Sequence, residues 1–195
     1  MKGSKRRLSI LASAAPIFNR RGFAGTSIAD ILAATDLEKG GLYNHFASKE
    51  ELALASFEYA FGQVDAYFTR ALGSVESGLP RISAFIDAFE HYCERPVVEG
   101  GCPLANAALE ADDALPFLRD RVQAAFGALR ATLVRNLARA VEKRHIQSDA
   151  DVETLADMIV ASLEGALLLS RAMRSRAHVR RVTAGLRDLL QRLRP

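Results

Sequence analysis

Apolar residues return every three or four positions along almost the whole chain, and no segment alternates apolar and polar as a half-buried strand does; PVV at 96–98 is too short to count. The pattern predicts an all-α protein. In a first helix, over about residues 5–20, Leu11, Ala14 and Phe18 share one side with Ile10 and Ile17, and Gly22 ends it. Pro16 falls inside that span, where it removes a hydrogen bond and crowds the carbonyl of Ala12, so a kink or local break is expected. Ser27 with Asp30 makes a capping box for a second helix carrying Ile28, Ile31 and Leu32 and ending near Thr35. A very short third helix runs from about Glu38 to Asn44. Ser48 with Glu51 caps a long fourth, whose stripe Phe57, Phe61, Val64, Phe68 continues to about Leu72.

Gly78-Leu79-Pro80 opens a fifth helix with Ile82, Phe85, Ile86, Phe89 and Cys93 inward, closed by Pro96. A glycine-rich loop, VEGGCP, leads to a short sixth helix from Pro103 to about Ala111. Asp112 and Asp113 then lead into a long seventh with Leu118, Val122, Phe126, Leu129, Leu133 and Leu137 on one face. Ser148 and Asp151 cap an eighth that reaches about Met173. The ninth carries Val179, Val182, Leu186, Leu189 and Leu193, a heptad seam that wants a partner helix at a shallow angle.

A chain of 195 residues that is 49% apolar and 25% charged has room for one sizeable core or two small units, which excludes disorder. No apolar stretch approaches the ~20 residues that span a bilayer, so no membrane partner is expected. The opening KRRLSILASAAP imitates a secretory signal, but its apolar residues keep helical spacing past any cleavage point into IFNRRGF, which predicts a folded amphipathic helix. Two cysteines, Cys93 and Cys102, make no disulfide framework or zinc pattern, and point to reduced thiols in a cytoplasm. The four histidines have no metal-ligand spacing and no nucleophile motif appears, so neither an enzyme nor a cofactor is expected; an all-α enzyme or carrier is the remote alternative. Charge is uneven. Residues 1–50 carry 8 Lys and Arg against 4 Asp and Glu, residues 51–110 carry 3 against 9, and residues 111–195 carry 15 against 10. A basic start suggests a polyanionic partner there, and the acidic middle excludes a protein that coats nucleic acid with its whole surface.

The stretch LEKGGLYNHF, residues 37–46, is poor helix material between two good helices. Each glycine weakens a helix by roughly 1 kcal/mol relative to alanine. Helices two and three are joined by Thr35, Asp36 and Leu37 and braced by a preceding helix, which is the layout of a helix-turn-helix whose second helix enters the major groove. Gly40 and Gly41 then leave the exposed face without bulk so that backbone can approach base edges. Lys39, Tyr43, Asn44 and His45 offer polar tips to bases and phosphates, while Leu42 and Phe46 anchor the element. Lys49, in the first turn of helix four, opposes the helix dipole, and a nearby phosphate explains it better than stability does.

The block from Ile10 to Ala55, IL-x(6)-IF-x(3)-GF-x(2)-TSIADI followed by KGGLYNHFASKEELALA, resembles the N-terminal domain of TetR-family transcriptional regulators. The resemblance implies a nine-helix fold with a DNA-binding domain over residues 4–64, its helix-turn-helix at about 27–46, and a ligand-binding and dimerisation domain over 65–195. It implies phosphate contacts at Thr26 and Ser27, base reading at Lys39, Gly40, Gly41 and Asn44, and phosphate clamps at Tyr43, His45 and Lys49. The implied activity is that of a repressor that binds palindromic operator DNA as a homodimer and releases it when a small-molecule effector binds.

The resemblance also implies an effector site among the later helices. Phe61, Val64, Phe68, Phe85, Phe89, Tyr92, Phe117 and Phe126 could line it or could equally be ordinary core. Asn106 and Glu110 share a face with Cys102 and are its expected polar groups. The segment GC-x(3)-N-x(3)-E resembles one branch of the family that includes sensors of electrophiles and oxidants. Cys102 at a helix start is therefore either a thiol trigger or a small residue in a tight loop. Small residues Ser162 and Gly165 of helix eight, with Val179, Val182, Leu186, Leu189 and Leu193 of helix nine, are expected to pair with a second copy as a four-helix bundle.

Overall fold

A computed structural model describes residues 2–111 and 115–195. Among the described residues all regular structure is helical, in nine helices: α1 (Lys2–Arg21), α2 (Ile28–Thr35), α3 (Lys39–Tyr43), α4 (Lys49–Leu72), α5 (Leu79–Glu94), α6 (Pro103–Ala111), α7 (Pro116–Glu142), α8 (Val152–Ala172) and α9 (Ala177–Arg192). No helix of the described residues is long and apolar enough to cross a membrane. Asp112 and Asp113, expected to lead into α7, lie outside the described residues. α1 begins earlier than expected and runs through Pro16 without a break, because Ile10, Ala14, Ala15, Ile17 and Phe18 are all buried and hold the helix on both sides of the proline. The cap of α8 is also simpler than expected. Asp151 is itself the N-cap, its carboxylate accepting from the Thr154 N–H at 3.1 Å and the Thr154 hydroxyl at 2.7 Å.

The chain forms two compact units, Met1–Asp65 with Val97–Ala124, and Ala66–Pro96 with Ala125–Pro195. The α6 segment, expected in the ligand-binding half, thus packs with the N-terminal helices. In the first unit Ile10, Ala14 and Phe18 of α1 are buried with Ile31 of α2, Leu42 of α3, Phe46, and Leu52 and Phe57 of α4; Ala15, Ala60 and Val98 form a further cluster under Tyr59. Phe18 stacks on Phe23 with ring centres 5.1 Å apart, which closes the core beneath the loop after α1.

In the second unit α9 packs against α8 and α5. Its buried stripe is Val179, Thr183, Leu186 and Leu190, whereas Val182, Leu189 and Leu193 of the expected seam are only half-buried. The seam is therefore split: Val179 and Leu186 belong to this unit's own core. Thr183 turns inward because its hydroxyl donates to the Glu90 carboxylate at 2.7 Å, and Arg187 reaches both Asp87 (2.6 Å) and Glu90 (2.7 Å) on α5.

Candidate nucleic-acid interface and effector site

The start of α2 is wired locally. Ser27 is the N-cap and Asp30 reciprocates: the Asp30 N–H donates to the Ser27 hydroxyl at 3.2 Å, and the Ser27 N–H donates to the Asp30 carboxylate at 2.9 Å. The Ser27 hydroxyl, the Ser27 N–H and the Arg21 guanidinium, in that order, hold the Asp30 carboxyl down at about 2. α2 ends on Asp36 in the left-handed region, φ 51°, and this turn redirects the chain into α3.

α3 is five residues long, too short to be stable alone, and is held by Leu42 and Phe46, 1% and 2% exposed. Anchoring these two turns the rest of the block outward. Lys39, Gly40, Tyr43 and Asn44 are exposed, and Gly41 and His45 are half-buried. A Cβ built on Gly40 would meet nothing within 4 Å, so the fold makes no demand for glycine there. At Gly41 a Cβ would come 3.3 Å from the tip of Leu37. Arg7, which the sequence reading passed over, braces this corner: its guanidinium lies 4.4 Å from the centre of the Phe46 ring and 3.2 Å from the Glu51 carboxylate, which itself accepts from the Ala47 N–H. Half-buried Lys49 opens α4 beside it.

Thr26 departs from its expected role. It is 1% exposed and its hydroxyl donates to the Gly22 carbonyl at 2.6 Å, so the side chain shapes the loop before α2 instead of facing a phosphate. Ser27 is exposed at the same loop, though its hydroxyl already serves the cap.

Asn106 and Glu110, expected to meet an effector, face the end of α1 and the loop that follows it. The Asn106 amide donates to the Asn19 carbonyl (3.0 Å), the Asn19 side-chain oxygen (2.9 Å) and the Gly100 carbonyl (2.8 Å). Asn19 in turn donates to the carbonyls of Glu99 and Gly101. The Glu110 carboxylate accepts from the Phe23 N–H at 3.1 Å and the Ala24 N–H at 3.0 Å. The space these residues border with Phe18 and Phe57 amounts to about 10 Å³, at the lower limit for a single water. Asn19 was the missed partner; a polar residue beside Phe18 on the apolar side of α1, 7% exposed, was its signal. Cys102 is buried before α6, its carbonyl accepting from the Asn106 N–H at 3.0 Å. Burial does not favour the thiol-trigger reading.

The other expected lining residues divide between the units. In the first, Phe61 stacks on Phe57 at 6.0 Å, Val64 is buried and Phe117 half-buried. In the second, Phe68 packs on Phe85 at 5.1 Å and on Tyr92 at 6.1 Å, Phe89 packs on Tyr92 at 6.4 Å, and Phe126 is half-buried. A cavity of about 410 Å³ in that unit is bordered by Leu79, Ser83, Arg144, His145 and Arg194 and by none of the expected lining residues.

Beside the aromatic cluster, burial pushes the Cys93 thiol up to about 12, and Glu164, Glu90 and Glu94 add to the shift. The folded value lies above the unfolded one, so the associated stability is complete below the ordinary thiol range and is lost as pH rises toward 12. Native protein at about pH 8 should therefore leave Cys93 unmodified by iodoacetamide while urea-unfolded protein reacts fully, as peptide mass spectrometry will show. Equal labelling of both forms would contradict the burial.

One side of α8 carries Met158, Ser162, Gly165 and Leu169, at spacings of four and three residues that keep them in one stripe, and Met173, the C-cap, follows four residues later. Met158, Leu169 and Met173 are 44%, 49% and 63% exposed, and neighbouring Leu168 is 61% exposed. Cβ atoms on Gly165 and on Gly185 of α9 would meet nothing within 4 Å.

Residues 10–56 match the family described as bacterial regulatory proteins, tetR family, and residues 78–186 match the tetracyclin repressor-like C-terminal domain. A TetR transcriptional regulator from Chloroflexus aurantiacus is 42% identical, superposes with a TM-score of 0.90, and is matched over 95% of this chain and 93% of its own. The HTH-type transcriptional repressor DhaR of a Mycobacterium species is 25% identical, over 87% of this chain and 84% of its length. CifR, a TetR-family regulator solved as a cysteine mutant with 26-base-pair operator DNA, is 22% identical with a TM-score of 0.77, over 96% of this chain and 95% of its own.

Proposed function

The chain belongs to the TetR family of transcriptional regulators, and from that premise we propose that it is a repressor that binds a palindromic operator as a homodimer and is released by a small-molecule effector. The observation that carries the DNA-binding part is the outward face of α3, where Gly40 occupies open space between Lys39, Tyr43 and Asn44 while Leu42 and Phe46 are buried. A helix this weak is held in place so that its exposed backbone can meet something outside the chain. Lys39, Gly40, Gly41 and Asn44 read base edges; Tyr43, His45 and Lys49 grip phosphates on either side, with Ser27 at the head of α2. The exposed stripe of α8 with Val182, Leu189 and Leu193 of α9 is the face for the second subunit. Two-fold pairing through it would set the recognition helices about 34–36 Å apart, on successive major grooves. The effector is an apolar or amphipathic molecule taken among the aromatic side chains, and its binding lowers the population competent for DNA. Repressor action is proposed by analogy with relatives described as transcriptional repressors, DhaR among them.

The test is a titration of the protein against duplex DNA from upstream of its own coding sequence at several salt concentrations, repeated with Tyr43→Ala and Lys49→Ala. Lys49→Ala should weaken binding to all sequences alike and reduce the slope of log K against log salt by about one unit per subunit contact. Tyr43→Ala removes a neutral contact and should weaken binding by roughly tenfold with the slope kept. Parent-like curves for both variants would remove these residues from the interface.

A further inference from the structure

The loop between α1 and α2 leads from the end of α1 into the capped start of α2, and its donors are bound both locally and from a distant part of the chain. The Gly22 N–H donates to the Phe18 carbonyl at 2.8 Å, the Thr26 hydroxyl returns to the Gly22 carbonyl at 2.6 Å, and the Ser27 N–H is taken by Asp30. All of these are local. The N–H groups of Phe23 and Ala24, in the middle of the loop, are satisfied by the Glu110 carboxylate, 87 and 86 residues further along the chain. One carboxylate bridging two successive backbone N–H groups fixes position and direction together, and an ionised acceptor makes such bonds about twice as strong as neutral ones.

The carboxylate is itself aimed. One helical turn earlier, Asn106 is tied to the backbone and side chain of Asn19, near the end of α1, and Asn19 holds the carbonyls of Glu99 and Gly101. Close approach is built in at two glycines. A Cβ on Gly22 (φ +80°) would run into the Glu110 carboxylate, and one on Gly100 (φ +110°) would come within 2.8 Å of the Asn19 backbone. The spacing of Asn106 and Glu110, i and i+4, puts both on the α1 side of α6.

We infer that Asn106 and Glu110 are positioning residues for operator recognition: from α6 they clamp the α1–α2 loop and so set the angle at which Ser27 and α3 are offered to the duplex. The inference rests on the DNA-binding reading above. It assigns the segment GC-x(3)-N-x(3)-E a role in DNA affinity in place of effector contact. Neither residue touches DNA in this account, so their loss alters specific binding without removing a charge from the phosphate interface.

The experiment compares the parent with Glu110→Gln, Glu110→Ala and Asn106→Ala, binding the upstream duplex and a scrambled duplex across a salt series, with thermal melting of each variant. Glu110→Gln keeps the shape but sets an NH₂ group against one of the two N–H donors, and the specific duplex should be bound about tenfold more weakly. The affinity for scrambled duplex and the salt slope should stay at the parent's values, a pattern that reduced stability alone does not produce in protein folded well below its melting temperature. Asn106→Ala should shift binding in the same direction. If Glu110→Ala does not fold, Glu110→Gln decides. Parent-like specific binding by Glu110→Gln and Asn106→Ala overturns the inference while leaving the DNA-binding reading intact. If the parent itself shows no preference for the upstream duplex, it is that reading which fails.

Discussion

Replacing Gly40 with alanine should leave the protein as stable as the parent or more so, and replacing it with alanine or leucine should abolish most operator binding. The fold leaves open space where the new Cβ would sit, and the position lies in a helix. Removing the excess backbone freedom of glycine there should stabilise the chain by roughly 0.5–1 kcal/mol. At the interface the same methyl group must fit between helix backbone and base edges. Forcing an extra methyl into a close-packed contact costs roughly 1–3 kcal/mol, which corresponds to a loss of about tenfold to a hundredfold in affinity for each recognition helix. Leucine should exceed that range. Urea or thermal unfolding and an operator titration on the same preparations check both halves. Operator affinity equal to the parent's in Gly40→Ala would remove the argument that the glycine serves close approach. A large fall in stability would mean instead that the glycine serves the fold.

The other large effect is expected where DNA is not touched. Leu169→Asp with Met173→Asp places two carboxylates on the stripe of α8 proposed to meet a second subunit. Both side chains are about half or more exposed in the single chain, so the subunit should keep its fold, visible as unchanged helicity. In a paired state the carboxylates would be desolvated against apolar neighbours and against their own copies, which costs several kcal/mol per pair. The solution mass should fall from that of two chains to one of 21.2 kDa, measured by light scattering. Operator affinity should fall with it by about 10²–10⁴, because two weak half-site contacts no longer act as one bivalent contact. An unchanged mass would move the subunit interface away from this stripe.

Much of the architecture could be read along the chain. Helix positions followed from apolar spacing, the Ser27–Asp30 capping box stands as expected, and the burial of Leu42 and Phe46 followed from the conflict between their apolar character and the polar, glycine-rich residues around them. These features are set by residues within one or two turns of each other, and the order of helices read from that spacing agreed with the family resemblance. Pro16 misled because a proline's local cost was weighed without the buried residues on either side that keep α1 continuous.

What resisted sequence reading was the choice of partners across distance. Asn106 and Glu110 looked like ligand groups because they are polar and share a face; nothing nearby in the chain shows that the N–H groups of Phe23 and Ala24 are the donors to Glu110, or that oxygens of Asn19 and Gly100 accept from Asn106. Thr26 looked available to a phosphate until packing enclosed it. On α9 the expected seam and the buried row share Val179 and Leu186, and a helical period of 3.6 residues fits both. The inward row was selected by Glu90 and Asp87 on α5, which hold Thr183 and Arg187. The sequence alone determined an all-helical chain and the outward character of the Gly40 face, because helix periodicity, caps and glycine content act over a few residues. Tertiary structure decided which polar groups pair with partners inside the chain and which side of α9 is buried in its own unit, because those outcomes depend on donors, acceptors and apolar surfaces brought together from distant parts of the chain.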